Sequence, residues 1–107
     1  MTTATYINNE IDFDTLLKEK TLLVVDCTAT WCGPCKVVAP LMDRMAEEFV
    51  DQAQVFKLDL DTNSSVAKRF GIRSIPAVMI FKNGELMETI VGVKPYEEFS
   101  GAVEKYL

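Results

Sequence analysis

Cys32 and Cys35 stand three positions apart in Trp31-Cys32-Gly33-Pro34-Cys35. A pair at this spacing can carry out dithiol–disulfide exchange, a reaction in which the thiolate is the nucleophile. The segment that follows has helical periodicity, which puts Cys32 at a helix N-terminus. There, unpaired backbone N–H groups and the helix dipole stabilise an anion. Cys35 lies one turn further on, so the two sulfurs can meet. Gly33 permits a tight approach, and Pro34, with φ already fixed, suits an early helical position. Cys32, beside Trp31 at the end of the turn, is expected to be the exposed cysteine and to attack a target's disulfide. Cys35 would then attack the Cys32 sulfur of the mixed disulfide and release the reduced target. A structural disulfide and half of a zinc site are the alternatives. Zinc usually takes four Cys or His ligands, whereas this chain has no His and one further Cys, at position 27.

The elements that must position this pair can be read on either side of it. Leu22 to Cys27 is an apolar run broken only by Asp26, a pattern that suits a strand buried on both faces. A carboxylate in that run is costly to bury charged, and desolvation raises its pKa; a solvated Asp at the strand end is the other reading. After Cys35, the residues Val38, Leu41, Met42, Met45, Ala46 and Phe49 recur at helical spacing and form a stripe to press on a sheet. Pro40 lies inside that helix and is expected to kink it.

Residues 4–8 read as a short edge strand, Asp12–Lys20 as a helix and Val55–Leu60 as a strand. A short helix capped by Asn63, Ser64 or Ser65 runs to Phe70 and ends at Gly71. Ala77–Phe81 and Glu85–Val91 flank Asn83-Gly84, a strong hairpin signal. A last helix starts near Pro95, with Phe99, Val103 and Tyr106 inward. The order is β-α-β-α-β-α-β-β-α. It implies parallel pairs joined by right-handed crossovers, plus one antiparallel hairpin: an α/β fold with a mixed central sheet and helices on both faces.

The chain has 107 residues, one-domain size, so residues 1–107 are expected to form a single domain. A formal net charge of −5 leaves no basic footprint for nucleic acid, and there is no block of like charge. No apolar run is long enough to span a bilayer. Met1-Thr2-Thr3-Ala4-Thr5 lacks the charged and apolar regions of a secretory signal. Three cysteines, an odd number, argue against a secreted disulfide framework. A cytoplasmic monomer is the simplest expectation; a removed transit peptide with a replacement Met would instead place the chain in an organelle stroma or matrix.

The Trp31-Cys32-Gly33-Pro34-Cys35 string, its strand–turn–helix setting and the element order resemble the thioredoxin family over nearly the whole chain. The resemblance implies a thioredoxin fold and a redox disulfide between Cys32 and Cys35. It implies that Asp26 is the family's buried acid, moving a proton to or from the second cysteine, and that Lys57 is the lysine near that acid. It further implies a cis Ile75–Pro76 bond against the cysteine pair, where the backbone of Ile75 binds an extended target. Gly92, in the third loop near the site, would leave room for a target backbone. Trp31, Ile75, Pro76 and Gly92, with Gly33 and Pro34, would form a shallow apolar docking patch. From the residues alone, Lys57 is equally an exposed lysine, Pro76 an ordinary trans strand starter, and Trp31 and Ile75 core residues.

The chain departs from the family's aromatic-rich lead. Cys27 replaces a large core side chain and reads as a buried, inert thiol, with a regulatory thiol as the alternative. Thr28 replaces a bulky aromatic near the site. Gly33-Pro34 and the lack of His resemble the reducing branch of the family. The implied function is reduction of disulfides in target proteins, with re-reduction by a thioredoxin reductase, NADPH- or ferredoxin-linked. No cofactor motif or metal set is present, so an electron carrier with disulfide-reductase activity is expected rather than a cofactor-bearing enzyme. A binding module and an oxidant in an oxidising compartment are the competing readings.

Overall fold

Leu22–Thr28 (β2) is buried along its whole length, because both of its faces are covered. The computed structural model describes residues 3–107, so Met1 and Thr2, the first part of the stretch read as lacking a secretory signal, lie outside the described residues. Around β2 the elements are β1 (Thr5–Tyr6), α1 (Glu10–Glu19), α2 (Gly33–Glu48), β3 (Gln54–Asp59), α3 (Ser64–Arg69), β4 (Ala77–Lys82), β5 (Glu85–Val91) and α4 (Tyr96–Glu104). The sheet order is β1-β3-β2-β4-β5. β1 and β2 run parallel to β3, and β4 is antiparallel to both β2 and β5.

The alternation along β2 sorts the two faces. Leu22 and Val24 pack with Val38, Met42 and Met45 of α2 and with Phe99 and Val103 of α4. Leu23, Val25 and Cys27 pack with Phe13 of α1 and Val66 of α3. Phe13, Phe70 and Phe81 close that second face edge to face, with ring centroids 5.3 to 5.8 Å apart. Asp26 follows the parity of Leu22 and Val24, so it points beneath α2.

Local chemistry sets the ends of the elements. α1 begins two residues before the expected Asp12, because the Asn9 side chain accepts the Asp12 amide at 2.8 Å and caps it. The Asn83-Gly84 turn has φ of 51° and 82°, the left-handed pair that a two-residue hairpin requires. α2 stays helical through Pro40. Asn63 occupies the N-cap position of α3 but does not cap it with its side chain. Its amide donates instead to the Asp59 carbonyl at 3.0 Å and to the Thr62 hydroxyl at 3.1 Å, a local competition open to short polar side chains. Among the described residues no helix is long and apolar enough to cross a membrane.

Candidate active site

Cys32 is the N-cap of α2, and Pro34 lies within the helix's first two positions. Cys32 and Cys35 are joined in a disulfide, with their Cα atoms 5.3 Å apart. The Cys32 sulfur accepts the backbone N–H of Cys35 at 3.2 Å, so an orphan donor of the helix end is aimed at it. A Cβ added to Gly33 would meet nothing within 4 Å; the turn over the disulfide is open on that side.

The expected exposure of Cys32 is not met. It is 3% exposed, against 2% for Cys35. The bond to Cys35 folds its side chain inward, where both sulfurs pack with Ala29 and Ile75. Burial therefore does not separate the two cysteines. What does is that Cys32 sits before the first turn and Cys35 within it.

The Ile75–Pro76 bond is cis. Ile75 is half-buried against the cysteine pair. Pro76 is buried and so is not part of an exposed patch, because it opens into β4 beneath the third loop. That loop is tied to it: the Gly92 N–H donates to the Pro76 carbonyl at 2.8 Å, with Gly92 at a φ of +96° that favours glycine. The exposed apolar surface comes from Trp31 at 70%, Val91 at 47% and Val93 at 48%. Sequence reasoning placed both valines in a surface loop beside Gly92 but left them out of the docking patch. It also missed Asp61, whose carboxylate accepts the Trp31 indole N–H at 3.2 Å. Nothing in the sequence signals a contact across thirty positions.

Asp26 is fully buried, and neither of its carboxylate oxygens has a hydrogen-bond partner among the described residues. Burial pushes its pKa up to about 7; the Lys57 ammonium lowers it and the Asp43 carboxylate raises it. Lys57 is Asp26's register partner on β3, and its side chain is only 12% exposed, which excludes the reading of a solvated lysine. Its ammonium lies 3.2 Å from Asp43, a residue of α2 that sequence reasoning did not single out. The available signal was the spacing Cys35, Ala39, Asp43, which puts all three on one side of a helix.

Cys27 is buried on the opposite face of the sheet, in the α1–α3 core. Burial and the neighbouring Asp26 raise its thiol to about 12, so it stays protonated and inert, as an apolar packing residue does. Thr28 borders a cleft of about 120 Å³ shared with Ala29, Thr30, Cys35, Lys36 and Ala39, beside the cysteine turn.

A disulfide-forming dithiol at a helix N-terminus, next to a cis-proline loop on a mixed sheet, defines a thiol–disulfide oxidoreductase. A thioredoxin family model matches residues 4–105. "Thioredoxin 1" of Synechococcus elongatus is 44% identical over 92 residues, covering 86% of each chain. The chloroplastic M-type thioredoxin of Chlamydomonas reinhardtii is 41% identical over 101 residues, 94% of this chain and 72% of that one. The solved thioredoxin of Malassezia sympodialis superposes with a TM-score of 0.90 at 30% identity, covering 99% of this chain and 92% of that one. The chain belongs to the thioredoxin family.

Proposed function

We propose that this protein works in the reducing direction, as a single-domain monomer over residues 1–107, taking electrons from a thioredoxin reductase and passing them to disulfides of target proteins. The observation that carries this reading is the Cys32–Cys35 pair at the start of α2. In the dithiol form, the Cys35 N–H and the helix dipole favour a thiolate at Cys32. That thiolate attacks one sulfur of the target disulfide, and the other leaves as a target thiolate. Asp26, ionised in part at neutral pH, takes the proton of Cys35. The Cys35 thiolate then attacks the Cys32 sulfur, and the target's second thiolate leaves. Two electrons pass to the target, and the Cys32–Cys35 disulfide is restored. Lys57 tunes Asp26 through its charge.

Target recognition is assigned to Trp31, Gly33, Pro34, Ile75 and Gly92, with Val91 and Val93 added at the rim. Pro76 acts from below, by presenting the Ile75 backbone to an extended peptide. The reductase is NADPH- or ferredoxin-linked, and the compartment is cytoplasm or an organelle stroma.

The test is dithiothreitol-driven reduction of a disulfide-linked test protein. Catalysis should vanish in Cys32→Ser. Cys35→Ser should also lose turnover and should accumulate a mixed disulfide through Cys32. No rate above dithiothreitol alone would overturn the reading and point to a binding role instead.

A further inference from the structure

The two carboxylate oxygens of Asp26 are buried and have no partner among the described residues, although a lysine occupies the paired position on the adjacent strand. Buried carboxylates without partners are rare and call for a cause. Lys57 is committed elsewhere: its ammonium contacts the Asp43 oxygen Oδ1 at 3.2 Å. Asp43 is in turn held in place, because the backbone N–H of Ala4 donates to that same oxygen at 3.0 Å. The arrangement links α2, β3 and the segment leading into β1.

We propose that Asp43 is a positioning residue for the proton-transfer step, holding the Lys57 ammonium away from Asp26 so that the Asp26 carboxyl has no counter-ion in contact. The proposal rests on the reading of Asp26 as the proton carrier. With Asp43 in place, Lys57 acts on Asp26 only through space, and Asp26 titrates at about 7. That value suits a group that must both take and give a proton near neutral pH. Without the Asp43 carboxylate, Lys57 would lose its contact partner. The empty oxygens of Asp26 would then be the carboxylate on its paired neighbour.

The other charged groups around Asp26 do not supply the same function. From β3, Asp59 shares the face of Lys57, but its carboxylate accepts the Asp61 amide at 2.8 Å. From β4, the register partner is Val78, which has no charge. From α4, Tyr96 is engaged by Glu48 at 2.9 Å and by Arg44 over its ring. Cys27, next in β2, faces the opposite core. α2 contributes Cys35, the group whose proton is moved, and Asp43.

The test is titration of the Asp26 carboxyl carbon by NMR in the disulfide form of the full chain, in the parent and in Asp43→Asn, Asp43→Glu, Lys57→Met and the double variant Asp43→Asn, Lys57→Met. Asp43→Asn should lower the Asp26 midpoint by about one pH unit or more, the size expected when a cation closes on a carboxylate. Asp43→Glu should restore most of it, and in a Lys57→Met background Asp43→Asn should lower the midpoint far less, because only the direct repulsion between the two carboxylates is then lost. An Asp26 midpoint unchanged or raised in Asp43→Asn overturns the proposal, and so does failure of Glu to restore it. A loss of stability with no movement of the midpoint marks a merely structural ion pair and also overturns it. The pH profile of mixed-disulfide resolution separates this from the underlying reading. If the Asp26 midpoint moves and the resolution profile does not, Asp43 controls Asp26, and it is the proton-carrier role that fails.

Discussion

At the scale of single residues, the chemistry rests on how strongly the fold biases ionisation. Asp26 is the clearest case. Its pKa is raised from 3.8 to about 7, chiefly by burial, so the folded protein holds a proton that the unfolded chain releases. A raised acid contributes stability that is fully present below the unfolded value and is lost as pH rises through the folded one. Wild-type stability should therefore fall between about pH 4 and about pH 7 by roughly 4 kcal/mol, and then level off. Asp26→Asn should remove most of this slope, whatever it does to absolute stability. Urea denaturation at pH 4, 5.5, 7 and 8.5 reads it directly; an equal slope in both proteins would mean that Asp26 is solvated. Cys27 shows the same physics from the other side. Unlike Cys32 it stands in a strand and not at a helix end, and among the described residues no donor reaches it, so burial leaves it a thiol.

At the scale of elements, short-range stereochemistry decides where each one starts and stops. The β4–β5 hairpin turns on two residues with left-handed backbone, and the second of them, Gly84, also lies close to α1. A Cβ there would sit 3.3 Å from the Leu17 carbonyl oxygen, at a φ of +82°. Gly84→Ala should destabilise the fold by about 1–2 kcal/mol from the backbone penalty alone. The loss should appear as a lower urea midpoint with an unchanged slope, and reductase activity at low temperature should be retained, since the turn lies at the far end of β4 from Pro76. A midpoint equal to that of the parent would show that the turn relaxes to another type.

At the scale of the whole molecule, the sheet acts as a partition. The α2–α4 side carries Asp26, Lys57 and Asp43, whereas the α1–α3 side carries Cys27 and the phenylalanine cluster. The buried acid and the inert thiol are thus kept on opposite faces, and the dithiol packs in a separate cluster with Ala29 and Ile75. The chain also carries a net charge of −5, which acts at long range on encounter rather than on chemistry. Raising ionic strength from about 0.02 M to about 0.5 M should slow the second-order reduction of a basic disulfide protein several-fold, because the attraction is screened. An acidic target should not slow under the same change. Equal salt dependence for the two would show that docking is governed by the apolar rim around Trp31 instead.

Element order, the alternation of β2, the helical stripe after Cys35, the Asn83-Gly84 turn and the reactive pair were all legible in the amino-acid sequence. Each depends on neighbours within a turn or two, where periodicity and turn stereochemistry act. The sequence also marked Asp26, because a charge inside an apolar run is anomalous wherever the strand lies. Other features came only with the tertiary structure: the inward fold of Cys32, the Asp43–Lys57 pair, the Asp61 hold on Trp31 and the tie between Gly92 and Pro76. These depend on residues distant in the chain: Cys32 packs with Ile75, and Ala4 and Asp43 are 39 positions apart. Which of several nearby charges meets which partner depends on strand register and helix placement, and no local propensity carries that information.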